Sequence, residues 1–127
     1  MIYLDSSAIV KLVMAEQESV ALEKYVSGTA MISSSLAATE VRRTVRRWAP
    51  DQLVVAETIL GLIPLIAVGA EVLRIAESLE PTSLRTLDAI HLASALLVRA
   101  QLDTFVAYDA RLLEAAHSAG LVTASPS

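Results

Sequence analysis

Two apolar rhythms alternate along the chain. Short runs of apolar and β-branched residues at Ile2–Leu4, Ala30–Ser33, Leu65–Val68 and Thr104–Tyr108 have the length of buried strands. Between them, apolar residues return every three or four positions, as on one face of a helix. This spacing predicts helices over Ala8–Met14, Gln17–Ser27, Leu36–Trp48, Asp51–Leu62, Gly69–Leu79, Leu87–Ala100 and Ala110–Ala119. Punctuation agrees: Ser6 and Ser7, Ser34 and Ser35, and Thr86 stand where N-caps belong, while Gly28, Pro50 and Gly120 stand where helices stop. Glu80–Ser83 reads as a loop and Leu121–Thr123 as a last edge strand. Short strands alternating with helices specify an α/β domain with a mainly parallel sheet. Neither repeat nor linker divides residues 1–127, so a single domain is expected.

Composition narrows this picture. Hydrophobic residues make up 54% and aromatics only 4%, giving an aliphatic core suited to helices on a buried sheet. There is no cysteine, hence no disulfide and no thiolate metal site, which suits a reducing cytoplasm. No basic leader with an apolar stretch opens the chain. The longest apolar run, Ile59 to Ala70, covers about half of the ~20 residues a membrane helix needs, and Pro64 interrupts it. A soluble, cytoplasmic protein is expected, without excluding secretion. The net charge of −4 argues against a broadly basic nucleic-acid binder. Against that background Arg42, Arg43, Arg46 and Arg47 form a local basic stripe of i,i+4 pairs. Such a stripe suits RNA phosphates, a solvated helix face or an acidic partner segment.

Four acids carry the candidate chemistry. Asp5 and Asp109 each follow a predicted strand, Asp88 opens a predicted helix and Glu40 lies in the first two turns of another. In an open parallel sheet ligands approach the carboxyl ends of the strands, so all four can meet at one edge. Singly, each has a plainer role: a strand-end turn residue for Asp5, a helix cap for Asp109, a first-turn acid for Asp88, and an ion pair with Arg43 or Arg47 for Glu40. Together they form a set of hard oxygen donors, which stay ionised near one another only with cations between them.

These residues resemble a known family. Ile2-Tyr3-Leu4-Asp5-Ser6-Ser7-Ala8, Thr39-Glu40-Val41, Leu87-Asp88-Ala89-Ile90-His91-Leu92-Ala93 and Val106-Ala107-Tyr108-Asp109-Ala110-Arg111-Leu112 are similar to the four acidic motifs of PIN-domain ribonucleases. The order and chain length match, and the Leu-Asp-Ala-Ile-His-Leu-Ala stretch is the most specific piece. Within that family the chain looks most like the toxin of a VapBC-type toxin–antitoxin pair. The resemblance implies a three-layer α/β/α fold and Mg²⁺- or Mn²⁺-dependent endoribonuclease activity. It also implies a small cognate antitoxin and an RNA substrate; a toxin–antitoxin hetero-oligomer is expected with that partner, and the apolar helices near the N-terminus make a homodimer the other expectation.

By the same resemblance Asp5, Asp88 and Asp109 are metal ligands and, with Glu40, the catalytic acids. Ser6, Ser7 and His91 become residues that fix the acids in place; helix capping remains open for the serines, and plain core packing or a general-acid role for His91. Lys11 and Arg85 are candidates for phosphate contact or simple solvation. A catalytically silent RNA- or protein-binding module of the same fold is the alternative. Aspartyl phosphotransfer chemistry is disfavoured, because Ser7 stands where a second Asp would be needed and no lysine follows a late strand.

Overall fold

Alternation along the first strand sets the layers. A computed structural model describes residues 1–127, and in it strand β1 (Ile2–Leu4) sends Ile2 and Leu4 into one core and Tyr3 into another. The elements that follow are α1 (Ser6–Val13), α2 (Ser19–Val26), β2 (Met31–Ser34), α3 (Ser35–Trp48), α4 (Leu53–Gly61) and β3 (Leu65–Ile66). Then come α5 (Ala70–Glu77), α6 (Thr86–Leu97), β4 (Thr104–Val106), α7 (Ala110–Ser118) and β5 (Thr123–Ala124). Short 3₁₀ turns lie at Pro50–Gln52 and Arg99–Gln101.

All pairings are parallel and the strand order is β3-β2-β1-β4-β5. One core joins Ile2, Leu4 and Val106 to residues of α1, α2, α3 and α4, including Ile9, Leu22, Val41 and Leu60. On the opposite face Tyr3 and Phe105 pack with Leu92 of α6 and Leu112 of α7. Tyr3 and Phe105, paired in register, also stack ring on ring at 5.1 Å. The architecture is therefore a three-layer α/β/α sandwich. No helix is long and apolar enough to cross a membrane.

Several predicted boundaries shift for identifiable reasons. Helix α1 is capped by Asp5, whose carboxylate accepts from the Ala8 amide; Ser6 and Ser7 are its first residues rather than its caps. Ser34 does cap α3, accepting from the Leu36 amide. Thr86 is the first residue of α6 and caps nothing, since Arg85 holds the N-cap position without a side-chain bond. Helix α2 starts at Ser19 rather than Gln17, because the Ser19 hydroxyl ties the Glu16 amide and the Met14 carbonyl into a turn. Strand β4 ends at Val106, so Asp109 is not the first residue after a strand. Leu121 joins the core, and the edge strand is Thr123–Ala124. Gly28 and Gly120 do stop their helices, each at positive φ.

The strand order changes direction between β1 and β4, and the crevice outside their carboxyl ends is the position at which such sheets bind ligands. The wall of helices behind it depends on α2 docking through Leu22, which is 0% exposed. Leu22→Ala should cost about 2–5 kcal/mol, read as a shift of the urea midpoint at constant slope. Val20→Ala on the same helix, where the side chain is 78% exposed, should stay within about 0.5 kcal/mol of the parent.

Candidate active site

The crevice is a cavity of about 390 Å³ into which Asp5, Glu40, Asp88 and Asp109 all face. Each arrives from a different element. Asp5 is the first residue beyond β1, Glu40 lies on α3, Asp88 is the third residue of α6, and Asp109 caps α7. Asp5 is 6% exposed; its Oδ1 accepts from the Ser7 hydroxyl at 2.7 Å and the Ala8 amide at 3.0 Å. Asp109 Oδ1 accepts from the amides of Arg111 at 2.9 Å and Leu112 at 3.0 Å. Two of the acids are thus helix caps and cavity residues at once.

Glu40 does not pair along its helix with Arg43 or Arg47. Its Oε1 accepts from the Ser6 hydroxyl and lies 2.7 Å from His91 Nε2. His91 is 2% exposed, and its Nδ1 stands 2.8 Å from the Tyr3 hydroxyl. Both contacts are satisfied when Tyr3 donates to Nδ1 and the Nε2–H donates to Glu40, the tautomer we assign. Ser6, Tyr3, His91 and Glu40 therefore form one hydrogen-bonded chain across α1, β1, α6 and α3. Buried and engaged at both nitrogens, His91 is a positioning residue for Glu40 in this arrangement.

The same chain is matched over residues 2–118 by the model of the PIN domain family. The protein belongs to the PIN-domain family. Ribonuclease VapC46 of Mycobacterium tuberculosis is 41% identical over 127 residues, covering 99% of this chain and 98% of that protein. The crystal structure of Mycobacterium tuberculosis VapC20, described as a sarcin–ricin loop cleaving toxin, superposes with a TM-score of 0.74 at 17% identity, covering 99% of this chain and all of that one. A chain of a toxin–antitoxin complex from Klebsiella pneumoniae superposes with a TM-score of 0.73 at 19% identity, over 100% of this chain and 98% of its own. At such identities the two structures speak to the fold.

The electrostatics of this PIN domain divide the acids. Burial pushes the Asp5 carboxyl up, against the bonds from Ser7 and Ala8 that pull it down. Asp88 is also raised, by burial first and by the neighbouring Asp109 carboxylate second, with His91 and Arg85 opposing. For Glu40 burial acts upward too, but the bonds from His91 and Ser6 outweigh it and hold the carboxyl below the usual range. Oδ2 of Asp5, Oδ2 of Asp109 and both oxygens of Asp88 receive no hydrogen bond from the protein.

No three acids or histidines stand close enough to form a ready-made metal cage. Mg²⁺ does not need one, because it is held by one or two carboxylates and keeps several waters. Four uncommitted hard oxygens in one cavity fit that ion, and Mn²⁺ shares the preference.

The cations are placed less simply than the sequence suggests. Lys11 lines the cavity but is bonded to Glu16 and Glu18, each at 2.9 Å, and lies over the Tyr108 ring. Arg85 is an exposed neighbour of Asp88 at the start of α6. Arg42 makes a two-pronged bond to Glu57 of α4, at 2.7 and 3.0 Å, while Arg43, Arg46 and Arg47 have no acid partner. Sequence reasoning missed Tyr3, Glu16 and Thr44. Tyr3 was readable, since a tyrosine in a fully buried strand needs a partner for its hydroxyl; Thr44, one turn beyond Glu40, was readable by helical spacing. Glu16 carried no signal.

Because the folded-state carboxyl of Asp88 is raised, its contribution to stability is full below the ordinary carboxylate range and lost as pH rises through the raised value. Without metal, Asp88→Asn should therefore melt at or above the parent at neutral pH, and the difference should close as pH falls through that titration. If the charge served only the α6 dipole, the substitution would instead cost up to about 1 kcal/mol at neutral pH. Thermal melts across pH in EDTA decide the sign.

Proposed function

We propose that this protein is a metal-dependent endoribonuclease acting as the toxin of a toxin–antitoxin pair. The observation that carries this reading is the collection of unbonded oxygens from Asp5, Asp88 and Asp109 in one cavity at the carboxyl edge. Membership of the PIN-domain family and the likeness to a ribonuclease over nearly the whole chain support it.

Asp5 and Asp88 would be the principal holders of a Mg²⁺ or Mn²⁺ ion that keeps several waters, with Asp109 beside them. When bound, such an ion acidifies water and offsets the charge that builds on phosphoryl oxygens during in-line displacement. The chain's own residues do the rest. Ser7 fixes the Asp5 carboxylate by donating to Oδ1, which leaves Oδ2 for the cavity. Ser6 and His91 hold Glu40 ionised and oriented, so that it can accept a hydrogen bond from the attacking water. Arg43, Arg46 and Arg47 supply positive charge for the RNA backbone beside an otherwise acidic site.

Cleavage of total RNA should require added Mg²⁺ or Mn²⁺ and stop with EDTA. Asp5→Asn and Asp88→Asn should each abolish it while the fold survives, since asparagine at position 5 can still cap α1 and Asp88 caps no helix. Ser7→Ala removes only the hydroxyl on Asp5 and should weaken metal binding about 10- to 100-fold, measured by calorimetry. Binding of RNA by the parent with no cleavage under any divalent ion would make the protein a silent binding module.

An arginine from an antitoxin could pair two-pronged with the unbonded oxygens of Asp88. The likeness to a chain from a toxin–antitoxin complex supports such a partner. A stoichiometric complex with the product of the adjacent reading frame should cleave RNA poorly and regain activity when that partner is removed; full activity in the intact complex counts against inhibition at the cavity.

A further inference from the structure

The one tryptophan of the chain, Trp48, closes α3 with its side chain 66% exposed. Large exposed indoles are uncommon on a solvated helix face, and this one is not alone. The Arg47 guanidinium lies 4.6 Å from the ring centroid, and Arg43, Arg46 and Arg47 line a shallow concavity of about 330 Å³ with no other residue. None of these three arginines has an acidic partner, whereas Arg42 on the same helix is held by Glu57.

The patch lies on α3, the helix that also supplies one wall of the acidic cavity. Glu40 and Thr44 line that cavity, and Arg43 and Arg47 share their helix face at the i+3 and i+7 positions from Glu40. Trp48 lies eight residues beyond Glu40, about 12 Å along the helix axis. A polyanion with one phosphate at the carboxylates would thus run along α3 past Arg43 and Arg47, with Arg46 at their side, and meet an exposed indole that carries a guanidinium on one face. Alternating cations and aromatics form the surface that single-stranded nucleic acid uses, because an unpaired base can stack while its flanking phosphates are neutralised. A base-paired duplex offers no free base face to the indole.

We propose that Trp48, Arg43, Arg46 and Arg47 form a subsite for single-stranded RNA, in which one base stacks on the indole and the arginines hold the flanking phosphates. This deepens, and rests on, the reading of the cavity as a ribonuclease site. It places strand recognition on the C-terminal half of α3, beyond Glu40.

With no second tryptophan in the chain, intrinsic fluorescence reports this position directly. The full-length protein in EDTA, where RNA stays intact, is titrated with a single-stranded oligouridylate and separately with an RNA duplex. Single strands should quench or shift the emission and duplex should not. Trp48→Ala should weaken oligouridylate binding, followed by anisotropy of a labelled strand, by about 5- to 150-fold, and Trp48→Phe should restore most of it. Arg43→Ala with Arg47→Ala should flatten the salt dependence by about 0.7 log units for each phosphate no longer neutralised.

Binding that leaves Trp48 emission unchanged, or equal responses to duplex and single strand, overturns the subsite. So does emission that responds to an acidic peptide or to protein concentration but not to RNA, which would make the patch a protein interface. The two readings fail separately: cleavage without a Trp48 response removes the subsite and leaves the nuclease, whereas a Trp48 response without metal-dependent cleavage does the reverse.

Discussion

The burial of carboxylates at the carboxyl edge is the constraint around which the site is organised, and their mutual repulsion adds to it at Asp88. Four acids enter one cavity, and three local devices make them tolerable. Asp5 and Asp109 lend one oxygen to the free amides at the start of α1 and α7, where the partial positive charge of a helix N-terminus already favours an anion. Glu40 is held by the Ser6 hydroxyl and by His91, which Tyr3 in turn fixes from within the sheet. Asp88 receives no hydrogen bond and has only the charges of His91 and Arg85 against burial and Asp109, which raise its carboxyl. The folding problem and the electrostatic problem are thus solved by the same bonds, and the acid with the fewest bonds is the one most open to an incoming cation.

The parts of this arrangement that were legible in the sequence are those set by local chemistry. Strand-length apolar runs and helical spacing located β1, β2, β3, β4 and all seven helices, and the placement of acids after strands or at helix starts located the cavity. Bonds between distant elements were less visible. Ser6 and Ser7 read as caps because serine before a helix usually caps; Asp5, one residue earlier, took that role and released both hydroxyls to orient carboxylates. Arg42 read as part of a free stripe until α4 packed beside α3 and brought Glu57 within reach. Trp48 read as the last turn of a helix, since nothing local shows whether a terminal aromatic will be covered.

Tyr3 illustrates how much one residue can be asked to do. Its ring stacks on Phe105 and joins the core beneath α6 and α7, while its hydroxyl reaches the His91 ring that supports Glu40. Burial raises the phenol far above its ordinary range, so it remains a neutral hydrogen-bond donor throughout the physiological range. A residue that looks like core packing in a strand of three thereby transmits the position of the sheet to a carboxylate on α3.

The two outer strands, β3 and β5, each pair through only two residues. A protein partner that extends a sheet needs a row of free backbone amides and carbonyls, and edges this brief offer almost none. Strand addition therefore has little backbone to pair with at these edges. A partner that reads side chains on the helix surfaces instead meets positions where sequence can diverge without disturbing the sheet.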